Sequence, residues 1–459
     1  MVVHINYGIS SFVKERAKQV SDLARIEKSQ YDEYGVRRGL RNPDGTGVVA
    51  GITRLGNVRG YYIQDSERMP DEGKLTYRGI DLNDLTSAFL AENRPGYEET
   101  AYLLLFGELP TKQALAEFTA LLAEYRELPS GFTEDMILAA PSRNIMNKLS
   151  RSILALYSYD AEPETFGGDV ADELEKALRL VAQAPIIIAN AYAAKRHYFD
   201  KESLHVRLAK PELAMAENFL RMLHGNDYTP EDVRLLDLCL VVQAEHGGGN
   251  NSAFACRVLS SSGTDIYSAI SAAVGSLKGF QHGGANAKVE EMFNFIKQDV
   301  PNYNDDGAVR DYLVKIMKKQ GGCGDGLIYG MGHAIYTKSD PRALLLKSTA
   351  KALAEAKGKA EMIEEFELID RVERLTAGVY EEIKGHKKTL CANVDMYIGS
   401  VYKLLGIPRD LYTPLFAVAR IAGWCAHRIE ELWGNGRIIR PAFRAIAPRT
   451  EYIALDERE

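Results

Sequence analysis

The chain has 459 residues, 46% of them hydrophobic, 26% charged and 9% aromatic, and its 56 Lys and Arg against 63 Asp and Glu leave a formal charge of −7. A hydrophobic fraction of that size, with no long block of one charge sign, excludes wholesale disorder, and the slightly acidic balance excludes broad nucleic-acid binding, which needs clustered, unneutralised cations. The length allows two or three domains, or one large helical body carrying a smaller one.

In chain order, the N-terminal MVVHINYGISSFVKERAKQ has a short, weakly apolar start and no small-residue cleavage pattern behind a hydrophobic region. No secretory signal is expected there, and the setting reads as intracellular, in the cytoplasm. Extended character is confined to short pieces such as GVVAGITRLG at 47–56. After residue 75, apolar residues recur three and four apart, as in GYEETAYLLLFGEL, KQALAEFTALLAEYREL and ELAMAENFLRMLHG, with Gly or Pro after several ends. The predicted class is mainly α and multi-helical. The longest apolar stretch, Ala184 to Ala194, is interrupted by Asn190 and falls short of the roughly 20 residues of a spanning helix, so no membrane span is predicted. Thr229-Pro230-Glu231-Asp232 opens a helix predicted to run towards Glu245, with a capping hydroxyl, a proline at the first helical position and acids at the positive end.

Three of the nine histidines then fall in glycine-rich contexts: Glu245-His246-Gly247-Gly248-Gly249-Asn250, Gln281-His282-Gly283-Gly284-Ala285-Asn286 and Gly330-Met331-Gly332-His333. Glycine beside histidine permits φ > 0 and a close backbone approach, so an imidazole can be offered to a substrate where a helix gives way to a loop. Any one of them alone could be a plain helix end; three together point to a site. Metal binding is the rival reading, but the separations of 36 and 51 residues leave no HxxxH, HxH or CxxC chelate, so no metal is expected and acid-base or hydrogen-bonding roles are preferred. The five cysteines, Cys239, Cys256, Cys323, Cys391 and Cys425, are dispersed and read as reduced, partly buried thiols. GGCGDG at 321–326 lacks the GxxxxGK[ST] order and a preceding strand, so no P-loop is supported, although exposed amides there could hold a phosphate or an adenine edge.

Arg342 stands nine residues beyond His333, after Asp340-Pro341; it could pair with that Asp or clamp a substrate carboxylate with its planar fork. Charged, helix-forming sequence from Leu344 to Lys388 follows and reads as solvent-facing helices, a candidate smaller, mobile domain. Asp395 in LCANVD could act as a general base in a desolvated cleft or serve as a helix N-cap. Arg420 in VARIAGW lies in an apolar helical stretch where an unpaired charge is costly, which calls for a buried anion, either a protein carboxylate or a substrate. Arg440 in IIRPAF is a further candidate clamp.

The ordered set GMGHAIYTKSDPRA, Tyr77-Arg78-Gly79-Ile80 with YEETAYLLLFGELPT, HGGGN, QHGGAN, NVD, and ARIAGW followed by RP resembles the citrate synthase family over residues 75–441. The resemblance implies an almost wholly helical homodimer that condenses acetyl-CoA, its substrate rather than a resident cofactor, with oxaloacetate and water to give citrate and CoA. It implies a large domain over 1–285, with 1–75 as an N-terminal extension, a small CoA-binding domain over 286–400 that closes over substrates, and a return over 401–459. Asp395 resembles the base that takes a methyl proton, His282 the donor to the thioester oxygen, and His333 the group that polarises the oxaloacetate carbonyl. His246 would help hold oxaloacetate, and Arg342, Arg420 and Arg440 match carboxylate-binding arginines, Arg440 coming from the partner subunit. For CoA, Ile328, Tyr329, Gly330 and Gly332 resemble an adenine-recognising loop, Asn393 a contact to the pantetheine arm and Lys338 a phosphate partner. Thr337 stands where many relatives carry Lys or Arg, Ala392 replaces a usual proline and Ile398 a common serine. The same catalytic set would serve 2-methylcitrate synthase with propionyl-CoA, since one methylene changes pocket contacts by only about 1–3 kcal/mol. A citryl-CoA lyase or a non-catalytic CoA-binding homologue are the more distant readings.

Overall fold

Apolar residues on one face of each segment leave helix packed on helix as the way to bury them. The computed structural model describes residues 9–164, 168–434 and 436–458, and is mainly α-helical. Its centre is the helix Tyr412–Trp433, buried on every side from Tyr412 to Arg428 apart from Thr413. It packs against the helices Asn251–Ser261, Val170–Lys195, Ile266–Lys278, Pro230–Gln243 and Tyr97–Phe106. Val170–Lys195 contains the apolar run at 184–194; it is long and apolar enough to cross a membrane by length and composition, yet its apolar window is 83% buried inside the chain. Arg428 of the central helix pairs with Glu173 of that neighbour, both out of contact with water.

The start at Thr229 forms as predicted: Thr229 and Asp232 make reciprocal capping bonds, Pro230 occupies the first turn, and the helix runs to Gln243, two residues short of Glu245. The charged sequence beyond Leu344 forms two helices, Pro341–Ala356 and Ala360–Lys384, each burying one apolar face.

The extended stretch is displaced from its expected place. GVVAGITRLG has no strand before Gly56; instead Gly56–Gln64 and Glu67–Tyr77 pair antiparallel, Gly56 opposite Tyr77 and Gln64 opposite Glu67, and Ile80–Asp81 adds a short third strand. Asp65 and Ser66, at φ of 50° and 66°, make the tight turn, the left-handed pair whose twist suits a two-residue hairpin. The register shifts between Arg59 and Tyr61, where the single residue Gly60 faces Asp71, Glu72 and Gly73, so the second strand bulges there.

By backbone packing the chain divides into a unit spanning 49–436 and a second unit made from its two ends, up to residue 48 and from 437 onwards. In the second unit the helix Ser11–Leu23 buries no residue, leaving Phe12, Val13, Val20 and Leu23 exposed, and Arg444 lies over the Tyr34 ring at 5.6 Å. Among the described residues all five cysteines are free, four of them buried.

Candidate active site

The helix Pro230–Gln243 delivers Glu245 and His246 to the middle of the main unit. Gly247, at φ 81°, turns the chain immediately afterwards. Gly56 and Gly423 let neighbouring backbone close on this turn: a Cβ on Gly56 would sit 2.9 Å from Glu245 Cγ, and one on Gly423 would meet the Ala244 carbonyl and, at 2.7 Å, Glu245 Oε2. His246 is buried and its Nε2 has no partner among the described residues. Burial, reinforced by Arg342, His333 and Arg420, holds its pKa well below the usual imidazole value, so the ring is neutral.

A second loop presents His333. Gly330 and Gly332, at φ of 81° and 89°, adopt a conformation that favours glycine, and a Cβ on Gly330 would sit 2.7 Å from the Met396 sulfur. The loop is stitched to the segment before Asp395. The Gly332 N–H donates to Cys391 O at 2.8 Å, the Asn393 N–H to Gly330 O at 2.9 Å, and Asn393 Nδ2 to Gly332 O at 2.9 Å. His333 Nδ1 accepts the N–H groups of Ile335 and Tyr336, each at 3.1 Å, which leaves the ring proton on Nε2 as a donor. His246 meets His333 edge-on at 5.3 Å, and Tyr336 stacks on His333 at 4.6 Å.

Asp340 caps the helix Pro341–Ala356 and grips Arg342 through Nε at 3.0 Å and Nη2 at 2.7 Å, while also accepting the Val394 N–H at 3.2 Å. Pairing with that Asp is thus realised, and the fork of Arg342 is partly committed within the protein. Asp395 is not an N-cap: Val394 holds that position, and Asp395 is the first residue of the helix Asp395–Leu404, its N–H donating to Asn393 Oδ1 at 3.0 Å. Burial pushes its carboxyl up to about 6, against the pull of Arg342. Asn393, which the resemblance assigns to the pantetheine arm, spends two polar atoms joining the His333 loop to Asp395.

His282 lies in a turn where Gly283 packs so closely on Leu277 O that a side chain would collide. Its Nε2 is 3.1 Å from Ser252 Oγ, and burial with the charge of Arg420 holds its pKa down to about 4. Arg420 projects from the central helix with its Nε bonded to Gln243 O; Nη1 and Nη2 are buried and have no partner among the described residues. Burial lowers its pKa to about 10, with Glu245 opposing, so it remains a cation.

Sequence reasoning missed two supporting structures. Glu245 accepts from His427 Nε2 at 2.9 Å, and His427 Nδ1 accepts from Arg257 at 2.8 and 3.1 Å. Arg257 in turn pairs with Glu430 and, at 2.8 Å, with Glu431. The signal was a His-Arg-Ile-Glu-Glu run inside an apolar helix. The other is the hairpin, which grips the loop after His333. Arg68 donates to Ala334 O at 3.3 Å and Ile335 O at 3.1 Å, the Asp71 N–H to Thr337 Oγ1 at 3.1 Å, and the Gly73 N–H to Ser339 Oγ at 3.0 Å. Thr337 is therefore occupied in tying this loop to the hairpin.

The loops thus gather His246, His333, Arg342, Arg420 and Asp395, with His282 in the field of Arg420. Lys338 is exposed, Tyr329 donates to Asp325 at 2.5 Å, and Arg440 is exposed in the unit formed by the chain ends. A cavity of about 530 Å³ lined by Glu127, Asp160, Glu175 and Arg179 contains none of the site residues. No group of three or more potential metal ligands occurs among the described residues.

The family model described as citrate synthase, C-terminal domain, matches residues 45–442. A citrate synthase of Haloferax volcanii is 36% identical, covering 92% of this chain and 99% of that one, and a 2-methylcitrate synthase of Shewanella oneidensis is 33% identical, covering 82% and 90%. The crystal structure of citrate synthase from Pyrobaculum aerophilum superposes with a TM-score of 0.72 at 31% identity, covering 90% of this chain and 94% of that one. With its fold, its loops and its sequence in agreement, the chain belongs to the citrate synthase family.

Proposed function

We propose that this enzyme, an acyltransferase, condenses acetyl-CoA with oxaloacetate and water to release citrate and CoA. The observation that carries the proposal is the convergence on Arg342 of buried, unsatisfied polar atoms, His246 Nε2 and Arg420 Nη1 and Nη2, and of a desolvated carboxyl, Asp395. Buried donors without partners are costly unless a ligand supplies acceptors. A dianion with a ketone oxygen suits them.

In this reading Asp395 takes the methyl proton of the thioester. A carboxyl raised to about 6 is still ionised at neutral pH yet more basic than an ordinary aspartate, as proton abstraction needs. His282, neutral because its pKa sits near 4, is the group that donates to the developing enolate oxygen. His333 donates from Nε2 to the ketone oxygen of oxaloacetate and gives up that proton as the carbon-carbon bond forms. Arg420, the open edge of Arg342 and His246 hold the dianion, and Arg440 of a second subunit completes the clamp in a homodimer. The segment 286–400 is the small domain that brings Ile328, Tyr329, Gly330, Gly332, Lys338 and Asn393 to CoA. Segments 1–285 and 401–459 form the large one, and the setting is the cytoplasm. Closure of the small domain would delay thioester hydrolysis until condensation is complete.

The likeness to a 2-methylcitrate synthase favours one second reading, propionyl-CoA as the donor. Thiol release from acetyl-CoA and propionyl-CoA with oxaloacetate, for the wild type and Asp395→Ala, tests both. An acetyl preference abolished by the substitution is expected; a propionyl preference moves the assignment to methylcitrate, and no release with either refutes the synthase reading.

A further inference from the structure

Like His246 Nε2 and the Arg420 Nη atoms, the hydroxyl of Tyr336 is buried and has no partner among the described residues. Three other buried tyrosines use theirs. Tyr77 donates to Val241 O at 2.9 Å, Tyr97 to Ala419 O at 3.1 Å, and Tyr397 to Asp370 at 3.1 Å. Tyr336 is 2% exposed, its ring stacks on His333 at 4.6 Å with 29° between planes and meets His246 at 5.6 Å, and the Arg342 guanidinium lies 5.7 Å from its centroid. It therefore touches or faces three of the groups assigned to oxaloacetate.

We propose that Tyr336 is a further substrate-binding residue, its phenol donating a hydrogen bond to the oxaloacetate dianion while its ring positions the imidazole of His333. The inference rests on the synthase reading. Burial drives the phenol far above its ordinary pKa, so it stays protonated and can act only as a neutral donor towards an anion. The ring is fixed before substrate arrives. A Cβ on Gly60 would fall 2.5 Å from Tyr336 Cα and one on Gly73 would fall 2.9 Å from Cδ1, so the hairpin backbone is pressed directly onto this residue. The Tyr336 N–H is itself one of the two donors that set the His333 tautomer. A donor held this way needs no reorganisation when the ligand binds.

The test is calorimetric titration of oxaloacetate into the wild type, Tyr336→Phe and Tyr336→Leu, with steady-state kinetics and melting temperatures alongside. Tyr336→Phe keeps the ring and removes the hydroxyl: oxaloacetate affinity is expected to fall about tenfold, with kcat and the acyl-CoA KM nearly unchanged and the melting temperature unchanged or raised. Tyr336→Leu is expected to lose kcat as well, because His333 loses its stacking partner. Equal oxaloacetate affinity in the wild type and Tyr336→Phe overturns this inference and leaves the synthase reading standing. A wild type that turns over no acyl-CoA and binds no oxaloacetate overturns both.

Discussion

Replacing Asp395 by asparagine separates the chemistry of the site from its stability, because the two depend on the same proton in opposite ways. Burial raises the carboxyl to about 6 in the fold, against 3.8 for an ordinary aspartate. Below the unfolded value both states hold the proton and nothing is lost. As pH rises from the unfolded value towards the folded one, the unfolded chain releases its proton while the native state still holds it, and stability falls until both are ionised. Integrated over that window, the wild type gives up about 1.5 kcal/mol by pH 5 and about 3 kcal/mol by pH 8. Asparagine mimics the protonated form and escapes this loss. Asp395→Asn is therefore expected to be catalytically dead in the thiol-release assay yet more resistant to urea than the wild type, with an advantage roughly twice as large at pH 8 as at pH 5. In the wild type, kcat/KM should fall along a single acid limb near pH 6, with no further limb from His282 above pH 5. A variant whose urea midpoint is equal to or below that of the wild type at both pH values would refute the claim that this carboxyl is desolvated.

Two other perturbations probe the supports of the site. His427→Leu removes the side-chain donor to Glu245 and one of the acceptors of Arg257 inside the core and is expected to cost about 3 kcal/mol in urea unfolding, whereas His427→Gln, which still donates, should recover much of it. Gly73→Ala drives a methyl group into Ser339 O; a loss of about 1–3 kcal/mol is expected, together with a lower kcat, because the strained loop carries His333. A Gly73→Ala enzyme with wild-type kcat would mean that the hairpin is packing without influence on the site.

Helices and glycine-flanked histidines were legible because both are local. Three-and-four spacing announces a buried face, and a His-Gly pair announces a loop that something must approach closely. Thr229-Pro230 marked its helix start for the same reason. The hairpin escaped because its second strand, ERMPDEGKLTY, is rich in charged side chains and the turn falls on Asp65-Ser66 rather than on an Asn-Gly pair. GVVAGITRLG attracted attention for its β-branched residues, but a strand exists only where a second strand pairs with it, and that pairing begins at its last residue. Arg257 and His427 stand 170 residues apart, so nothing in either neighbourhood announces the other. Asp395 reads in the sequence as a cap or a base; Val394 holds the cap position, which removes the first reading.

The grip of the hairpin on the loop after His333 has a consequence for how the enzyme acquires its activity. The bond from Asp71 to Thr337 closes 266 residues of chain, and the one from His427 to Glu245 closes another 182. Helices form from neighbours in sequence, but loops of that length close late and at an entropic cost. A nascent chain that has reached Asp395 still lacks the central helix Tyr412–Trp433, and with it Arg420 and the bond from His427 to Glu245. The site is complete only when these contacts between distant parts of the sequence have closed.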